Sequence, residues 1–188
     1  MLEVELTAVL NHPEQVFKKL QEYSIYSTHR YFDRYYDQEN KLKERDQELR
    51  IRTKENLETG EQKNVFTLKD ARFDEKSRSK PEYETIIEDP EQNANILEKL
   101  GFRQKIAYTK YCRFFSFRYS EKDIEISYVT FDEIPETFIE IETLANDHNE
   151  TEEAFKVVYK ILEELEIPES DLTTLTYQKR IKNARENL

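Results

Sequence analysis

Apolar and polar residues alternate over many short stretches of this chain, and such alternation predicts β-strands. The dipeptide Thr59-Gly60 predicts a hairpin turn between two neighbouring stretches. Together these signals predict eight or nine strands, at residues 2–10, 29–36, 48–54, 64–69, 83–88, 102–111, 113–119, 124–131 and 138–144.

A few other stretches carry the signals of helices. Asn11 is a capping residue, and Pro13 fits the first turn of the helix that would follow it. Pro90 opens a second, short helix that ends at a glycine. Residues 151–165 repeat apolar positions at helical spacing, and residues 172–181 predict a final helix.

The order of these elements indicates an α+β fold. Many strands of similar length with few helices are typical of an antiparallel sheet that closes on itself. We therefore predict a closed eight-stranded antiparallel β-barrel with flanking helices. The 188 residues fit a single domain, 1–188, with C-terminal helices from about residue 151.

Composition supports a folded chain and excludes one class of partner. Charged residues make up 37% of the sequence, yet 11 Phe and 12 Tyr supply the apolar area that disordered chains lack. The formal net charge of -11 argues against a duplex nucleic-acid partner, because such proteins neutralise phosphates with Lys and Arg. A local group of cations could still hold one small anion.

The sequence also predicts where the protein resides. Its opening MLEVELTAVL lacks the basic region of a signal peptide. No apolar run approaches the ~20 residues of a membrane span. Cys112 is the single cysteine, so a reducing compartment is expected. We expect a cytoplasmic protein without a membrane partner.

Charged residues recur two positions apart within the predicted strands, which places each pair on one face of its strand. Each pair flanks an apolar or aromatic residue, so these strands have one charged and one apolar face. A solvated charged face is the simplest explanation for any single pair. Acidic pairs on three strands and a cationic pair on a fourth are a stronger signal: Glu3 and Glu5, Glu82 and Glu84, Glu140 and Glu142, Arg50 and Arg52.

A barrel that closes with these faces inward has a lumen lined by both signs of charge. Lys69 and Lys110, each at the end of a strand, would add to its cations. An eight-stranded barrel can hold one small ligand, and enclosed charges require partners. Carboxylates suit hard Mg²⁺ or Mn²⁺, and Arg binds phosphate oxygens in bidentate fashion. A metal–polyphosphate ligand fits this lumen.

Several segments resemble the CYTH family in the expected order. They are EVEL near the start, HRYFDRYYD, ELRIR at residues 48–52, TLK at residues 67–69, DEIPETFIEIE at residues 132–142 and IPESDLTTLTYQKRI. That family includes class IV adenylyl cyclases, thiamine triphosphatases, and inorganic and RNA triphosphatases. Its fold is an eight-stranded barrel called the triphosphate tunnel.

The resemblance implies roles for residues of this chain. Catalytic roles fall to Glu3, Glu5, Arg50, Arg52, Lys69, Glu140 and Glu142. Triphosphate binding falls to Arg50, Arg52, Lys69, Lys110 and Arg113, although the strand parity of Arg113 is open. Metal binding falls to Glu3, Glu5, Glu82, Glu84, Asp132, Glu140 and Glu142.

The sequence departs from the family pattern at three places. Thr7 stands where the family signature has Lys, and Glu136-Thr137 stand where a Gly is usual. Cys112 lies two residues after Lys110, where relatives often carry Arg. Thr7 is either an ordinary strand residue of a diverged member or a sign of altered activity, and both readings stay open.

The resemblance implies a metal-dependent enzyme most like a class IV adenylyl cyclase, which converts ATP to cyclic AMP and pyrophosphate. One alternative is an inorganic or thiamine triphosphatase, and a second is a non-catalytic polyphosphate- or nucleotide-binding protein. The small-molecule partner is ATP, tripolyphosphate or thiamine triphosphate, and a homodimer is an open alternative for the assembly.

Other charged and metal-binding residue types give weaker signals. The three histidines, His12, His29 and His148, have no metal-ligand spacing. Two groups of loop cations are either solvated or steer an anion toward the tunnel mouth. These groups are Lys41, Lys43 and Arg45, and Lys76, Arg78 and Lys80.

Overall fold

A computed structural model describes residues 2–72, 80–146 and 148–187 of this chain. The strands are β1 (Leu2–Val9), β2 (Tyr26–Asp37), β3 (Glu48–Asn56), β4 (Gln62–Lys69), β5 (Glu82–Ile87), β6 (Arg103–Tyr119), β7 (Lys122–Phe131) and β8 (Phe138–Ala145). The α-helices are α1 (Pro13–Tyr23), α2 (Lys41–Glu44), α3 (Pro90–Lys99), α4 (His148–Glu164) and α5 (Tyr177–Glu186), and a 3-10 helix covers Glu169–Asp171.

All eight strands join one antiparallel, curled sheet in the order β1-β8-β7-β6-β2-β3-β4-β5. The antiparallel eight-stranded fold with flanking helices is therefore confirmed, but the predicted closure is wrong. The edge strands β1 and β5 share no backbone pairing among the described residues. Long charged side chains meet there instead: Lys69 of β4 lies 3.0 Å from Glu82 and 3.6 Å from Glu3 of β1.

The two strands predicted at residues 102–111 and 113–119 form one continuous strand. Residues 103–119 form the single strand β6, because Cys112 continues the alternation between the two predicted segments. Its side chain is fully buried, as is that of Phe115 beyond it. The hairpin turn is confirmed at Gly60, whose φ of 75° lies in the left-handed region that glycine favours.

The helix predictions differ from the structure mainly at the ends. His12, not Asn11, occupies the N-cap position of α1, without a cap hydrogen bond from its side chain, and the Asn11 amide donates to Asp171 instead. The helix at Pro90 is confirmed, and Asp89 caps it. The last helix begins at Tyr177 rather than at residue 172, since the Thr176 hydroxyl accepts a hydrogen bond from the Lys179 amide and so fixes its start.

Apolar side chains lie mainly on the convex face of the sheet. There β1, β7 and β8 pack against α1 and α4 through residues such as Ile126, Ile141, Leu20 and Ile161, while α3 packs over β3. The C-terminal helix α5 packs beside β6 through buried Tyr177 and Ile181. This arrangement leaves the charged side of the strands on the concave face. Among the described residues, no helix is both long and apolar enough to span a membrane.

Candidate functional site

The concave face of the sheet encloses a cavity of about 270 Å³, called the central cavity below. Strand parity brings the predicted charges to it, as expected for residues two apart. Its described lining includes the carboxylates Glu3, Glu5, Glu48, Glu82, Glu84, Glu125, Glu140 and Glu142 and the cations Arg50, Arg52, Lys54, Lys69, Arg72, Lys80 and Lys110.

Arg52 of β3 is already held by a carboxylate of the neighbouring strand. Its Nε and Nη2 atoms donate to Asp33 at 2.5 and 2.7 Å, and Asp33 is fully buried. The guanidinium also lies 4.6 Å from the centre of the Tyr31 ring. Although burial opposes ionisation, Arg52 lowers the pKa of Asp33. Arg52 is thus a neutralised, oriented group.

Arg50 is in a different state. Its Nε atom is buried without a hydrogen-bond partner among the described residues. Its Nη2 atom has only long contacts, 3.5 Å to Thr67 and 3.6 Å to Glu82. A buried N–H without an acceptor costs free energy. Arg50 therefore keeps a buried hydrogen-bond donor that an anion could satisfy.

Lys69 lies between two carboxylates at the seam of the sheet. Burial disfavours its charged form, but Glu3, Glu5 and Glu82 raise the pKa of Lys69 above its ordinary value. Burial also opposes ionisation of Glu82, yet Lys69 and Arg50 lower the pKa of Glu82 to about 2. This corner of the cavity is charged on both sides.

The wall formed by β1, β8 and β7 concentrates carboxyl groups. Glu5, Glu142 and Glu125 face one another in register across β1, β8 and β7. Burial, followed by the neighbouring carboxylates Glu3 and Glu5, raises the pKa of Glu142 to about 9. Burial also raises the pKa of Glu3 to about 7, against the effect of Lys69. When ionised, these carboxylates repel one another, and a bound cation would reduce that repulsion.

This carboxylate wall fits a divalent cation by its donor chemistry. Within the described residues, no three His, Cys, Asp or Glu side chains converge on a complete metal site. Mg²⁺, however, usually takes only one or two carboxylates and completes its shell with water and substrate phosphates. Glu3, Glu5 and Glu142 supply hard oxygen ligands of that kind.

Lys110 lies between the carboxylate wall and strand β2. Its Nζ atom lies 3.4 Å from Glu140 of β8 and 5.7 Å from the centre of the Tyr31 ring. Tyr177 of α5 covers the same ammonium group at 5.4 Å. The lysine is buried. It thus presents a positive charge beside the carboxylates.

Two predicted site residues lie outside the cavity. Arg113 points to the convex face, where its guanidinium lies 4.8 Å from the Phe17 ring and 5.6 Å from the Tyr128 ring. Asp132 follows the end of β7 and accepts a hydrogen bond from the Tyr111 hydroxyl. Arg113 alternates with the inward-facing residues of β6, so parity excludes it.

The departures from the family pattern have structural accounts. The Thr7 hydroxyl donates to Glu5 at 2.9 Å and is buried opposite Glu140 in the strand register. Cys112 is buried, and burial raises the pKa of its thiol to about 11. Glu136 lies 3.7 Å from Arg180 of α5. Thr7 therefore orients a carboxylate instead of supplying a cation.

Several cavity residues were not predicted from the sequence. Lys54 continues the inward face of Arg50 and Arg52, so parity could have identified it. The same rule applies to Glu125, which shares the inward face of β7 with Ser127. Asp33 does not line the cavity, and its pairing with Arg52 could not be found in this way, since it depends on the β2–β3 register.

The loop cations have different environments. Lys80 is buried and lies 3.3 Å from Glu48, at the end of the cavity next to α5. Lys41 pairs with Glu39 on the surface. Lys76 and Arg78 lie outside the described residues. Of the histidines, His12 lies at the N-cap position of α1 without a cap hydrogen bond from its side chain, whereas His29 lies against Phe114 at 5.2 Å and the side chain of His148 is outside the described set.

Comparisons with known proteins agree with this architecture. A family model described as the CYTH domain matches residues 1–177. A Methanocaldococcus jannaschii protein named "Putative adenylate cyclase" is 27% identical over 181 residues, which are 94% of this chain and 97% of that protein.

Solved structures with the same fold cover nearly the whole chain. The PH1819 protein of Pyrococcus horikoshii superposes with a TM-score of 0.83 at 29% identity, over 96% of this chain and 98% of that one. A Hippeastrum protein described as a "putative adenylyl cyclase" with a dominant triphosphatase activity gives a TM-score of 0.67 at 17% identity, over 97% and 95%. The likeness to the second protein concerns the fold.

Proposed function

This chain belongs to the CYTH family, and from that premise we propose that it is a metal-dependent enzyme acting on a triphosphate bound in the central cavity. One observation carries the proposal: Arg50 has a buried Nε–H without an acceptor among the described residues, beside a wall of carboxylates. An anion would satisfy that donor. A divalent cation would neutralise those carboxylates.

Different cations of the cavity would contact different parts of the triphosphate. Arg50 donates to phosphate oxygens, and Lys110 and Lys69 add positive charge at two further points of the cavity. Lys69 lies 3.0 Å from Glu82, so phosphate binding competes with this ion pair. Arg52 is fixed by Asp33 and contributes to the shape and the electrostatic potential of the site. Its Nε and Nη2 donors are already used by Asp33, so it does not offer them to phosphate.

The carboxylates Glu3, Glu5 and Glu142 would hold Mg²⁺ or Mn²⁺. When bound, such a cation neutralises charge on the phosphates and aligns them for displacement. Thr7 keeps Glu5 in position through its hydroxyl. The raised pKa of Glu142 means that this wall must lose a proton to take up the metal.

Our first candidate reaction is that of an adenylyl cyclase. The ribose 3′-oxygen of ATP would form a bond to the α-phosphorus, the α–β bridging bond would break, and pyrophosphate would leave. Support comes from the M. jannaschii relative, which matches over almost the full length of both chains and carries the adenylate cyclase name.

A triphosphatase is the second candidate. In that reaction water attacks the terminal phosphorus, the bridging bond from that phosphorus to the diphosphate breaks, and inorganic phosphate is released. No organic group needs to be held. The triphosphatase activity in the description of the Hippeastrum protein supports this alternative, since that protein shares the fold. The charged central cavity serves both reactions.

Product identity tests the proposal. The purified protein is incubated with ATP, tripolyphosphate or thiamine triphosphate, each with Mg²⁺, with Mn²⁺ and with EDTA. Cyclic AMP with pyrophosphate identifies the cyclase, and inorganic phosphate identifies a triphosphatase. Binding of all three without turnover would overturn the enzyme proposal in favour of a non-catalytic binding protein.

A further inference from the structure

Two tyrosines form a hydrogen-bonded pair at the part of the cavity wall that carries Arg50. The first, Tyr35 of β2, lines the cavity and stands directly opposite Arg50 in the β2–β3 register. Side chains that are directly opposite on paired strands lie about 5 Å apart at their Cβ atoms. The Tyr35 side chain is therefore a neighbour of the arginine that keeps an unsatisfied buried donor.

The second tyrosine, Tyr108 of β6, lies behind the first. It is buried and does not line the cavity. Its hydroxyl donates to the Tyr35 hydroxyl at 3.1 Å, and the two rings stack with their centroids 5.7 Å apart and an interplanar angle of 24°. The ring of Phe131 packs edge-on against Tyr108 at 5.9 Å. Packing on both sides thus holds the Tyr108 hydroxyl in place.

The pair leaves one proton without a partner. Burial, followed by the effects of Tyr35 and Asp33, raises the pKa of Tyr108 well above its ordinary value, so Tyr108 stays a protonated donor at neutral pH. A hydroxyl that accepts a hydrogen bond still has its own proton to donate. Within the described part of the chain, no group accepts that proton from Tyr35.

An anion beside Arg50 would accept this proton. Hydrogen bonds to an ionised acceptor are roughly twice as strong as those between neutral groups. The bond from Tyr108 occupies one side of the Tyr35 oxygen, so the Tyr35 proton is directed to the other side, toward the cavity. The same bond polarises the Tyr35 O–H, because hydrogen bonds in a chain strengthen one another.

We propose that Tyr35 is a further binding residue for the triphosphate and that Tyr108 is its positioning residue. Tyr108 acts without touching the ligand, since its hydrogen bond turns the Tyr35 proton toward the phosphate beside Arg50. This inference rests on the proposed function and adds two residues that the pattern of charges does not identify, because neither side chain is charged.

Titration calorimetry with tripolyphosphate and Mg²⁺ tests the pair. Tyr35→Phe removes a hydrogen bond to a charged group, so the affinity should fall about tenfold. Tyr108→Phe keeps the ring and the direct contact of Tyr35 with the ligand, so it should weaken binding by a smaller factor, roughly two- to fivefold. In the Tyr35→Phe background, Tyr108→Phe should cause no further loss, because the hydroxyl that it positions is gone.

Tyr128→Phe is the matched control for the loss of a buried tyrosine hydroxyl. Tyr128 of β7 packs against Phe17 of α1 at 5.1 Å, on the convex side and outside the cavity. This variant should bind tripolyphosphate as the wild type does. Urea unfolding shows whether each variant folds.

Kinetics give a second readout on whichever triphosphate the protein turns over. Tyr108→Phe should raise KM by about the factor that calorimetry measures, with kcat nearly unchanged, because the lost interaction is made equally in the ground state and in the transition state. A general loosening of the fold would lower kcat instead.

The outcomes separate the inference from the proposed function. Wild-type affinity of Tyr108→Phe would overturn the positioning role, and so would equal losses from Tyr108→Phe with and without the Tyr35 hydroxyl. Wild-type affinity of Tyr35→Phe would overturn both assignments, even if Tyr108→Phe did not fold. If the wild type did not bind tripolyphosphate with Mg²⁺ at all, the proposed function itself would be wrong.

Discussion

Asp33 and Arg52 form a buried, two-point ion pair, with hydrogen bonds of 2.5 and 2.7 Å. Arg50, two residues away on the same face of β3, has no such partner and keeps a buried Nε–H without an acceptor among the described residues. Two arginines that look equivalent in the sequence therefore have different tasks. In the proposed function, Arg52 would support the site and Arg50 would bind the ligand.

The first prediction separates these tasks. Arg50→Gln should weaken tripolyphosphate binding by about tenfold or more, because a hydrogen bond to a charged group contributes ~1.5–3 kcal/mol. Its free energy of unfolding should change little, since Arg50 lacks a strong partner. Titration calorimetry and urea unfolding measure the two effects.

Arg52→Gln is the matched variant with the opposite profile. It leaves the Asp33 carboxylate buried and unpaired, which should cost about 3–5 kcal/mol of stability. Adding Asp33→Asn should recover part of that loss, because the stranded charge is then gone. Wild-type resistance of Arg52→Gln to urea would contradict the assignment.

The second prediction concerns the carboxylate wall. Glu140→Gln combined with Glu142→Gln should abolish metal-dependent turnover and leave the fold intact, since closely held like charges are costly without a cation. Activity across a Mn²⁺ titration is the measurement. Glu152→Gln with Glu153→Gln on exposed α4 provides a control of equal charge. Unchanged turnover and metal dependence in the first variant would remove these residues from the site.

A third prediction follows from Glu142, whose pKa rises from an ordinary 4.5 to about 9. Between those values the folded protein holds a proton that the unfolded chain has lost. The free energy of unfolding should therefore fall as pH rises through this window in metal-free buffer. Glu3 acts in the same direction between 4.5 and about 7.

Urea unfolding in EDTA at several pH values from 5 to 9 tests this linkage. Glu142→Gln cannot ionise, so its stability should decline less over the same range. Saturating Mg²⁺ should reduce the decline in the wild type, because the cation stabilises the ionised wall. Identical slopes for the variant and the wild type in EDTA would show that Glu142 titrates normally.

The fourth prediction concerns Thr7, which lies on the inward face of β1 with Glu3 and Glu5. Thr7→Lys should add one cation to the cavity and tighten triphosphate binding by roughly tenfold or more, at about 1.4 kcal/mol per decade. The gain should shrink at high salt if the site is wet and persist if it is closed. Calorimetry with tripolyphosphate and Mg²⁺ decides the matter.

Thr7→Val controls for the hydrogen bond from Thr7 to Glu5, because it removes the hydroxyl without adding charge. This variant should bind no better than the wild type. Unchanged or weaker affinity of Thr7→Lys would mean that another cation, such as Lys110 beside Glu140, already serves the same phosphate.

Strand parity predicted most of the charged residues that line the cavity, because it needs only the alternation within each strand. It placed Glu3, Glu5, Arg50 and Glu142 on one face, and the structure brings all four to the cavity. Arg113, which the resemblance suggested and whose parity was left open, falls on the other parity of β6 and lies outside the cavity. The alternation within one strand does not determine which residues of the neighbouring strands lie beside it.

Interstrand relationships therefore had to come from the structure. The neutralisation of Arg52 depends on the β2–β3 register that sets Asp33 opposite it. The closure of the barrel depends on whether two edge strands approach within hydrogen-bonding distance, and neither strand's own sequence determines this. The start of the last helix at Tyr177 was not predicted, because its N-cap residue, Thr176, lies in a segment with other threonines.

The seam between β1 and β5 has a consequence for the mechanics of the molecule. Lys69 spans it through Glu3 and Glu82, so the circumference of the sheet is set there by ion pairs, not by a backbone ladder. Ion pairs lengthen more readily than paired strands and weaken with salt. We therefore expect the sheet to open most readily along this line, and a ligand that bound Lys69 would weaken the ion pairs that hold it.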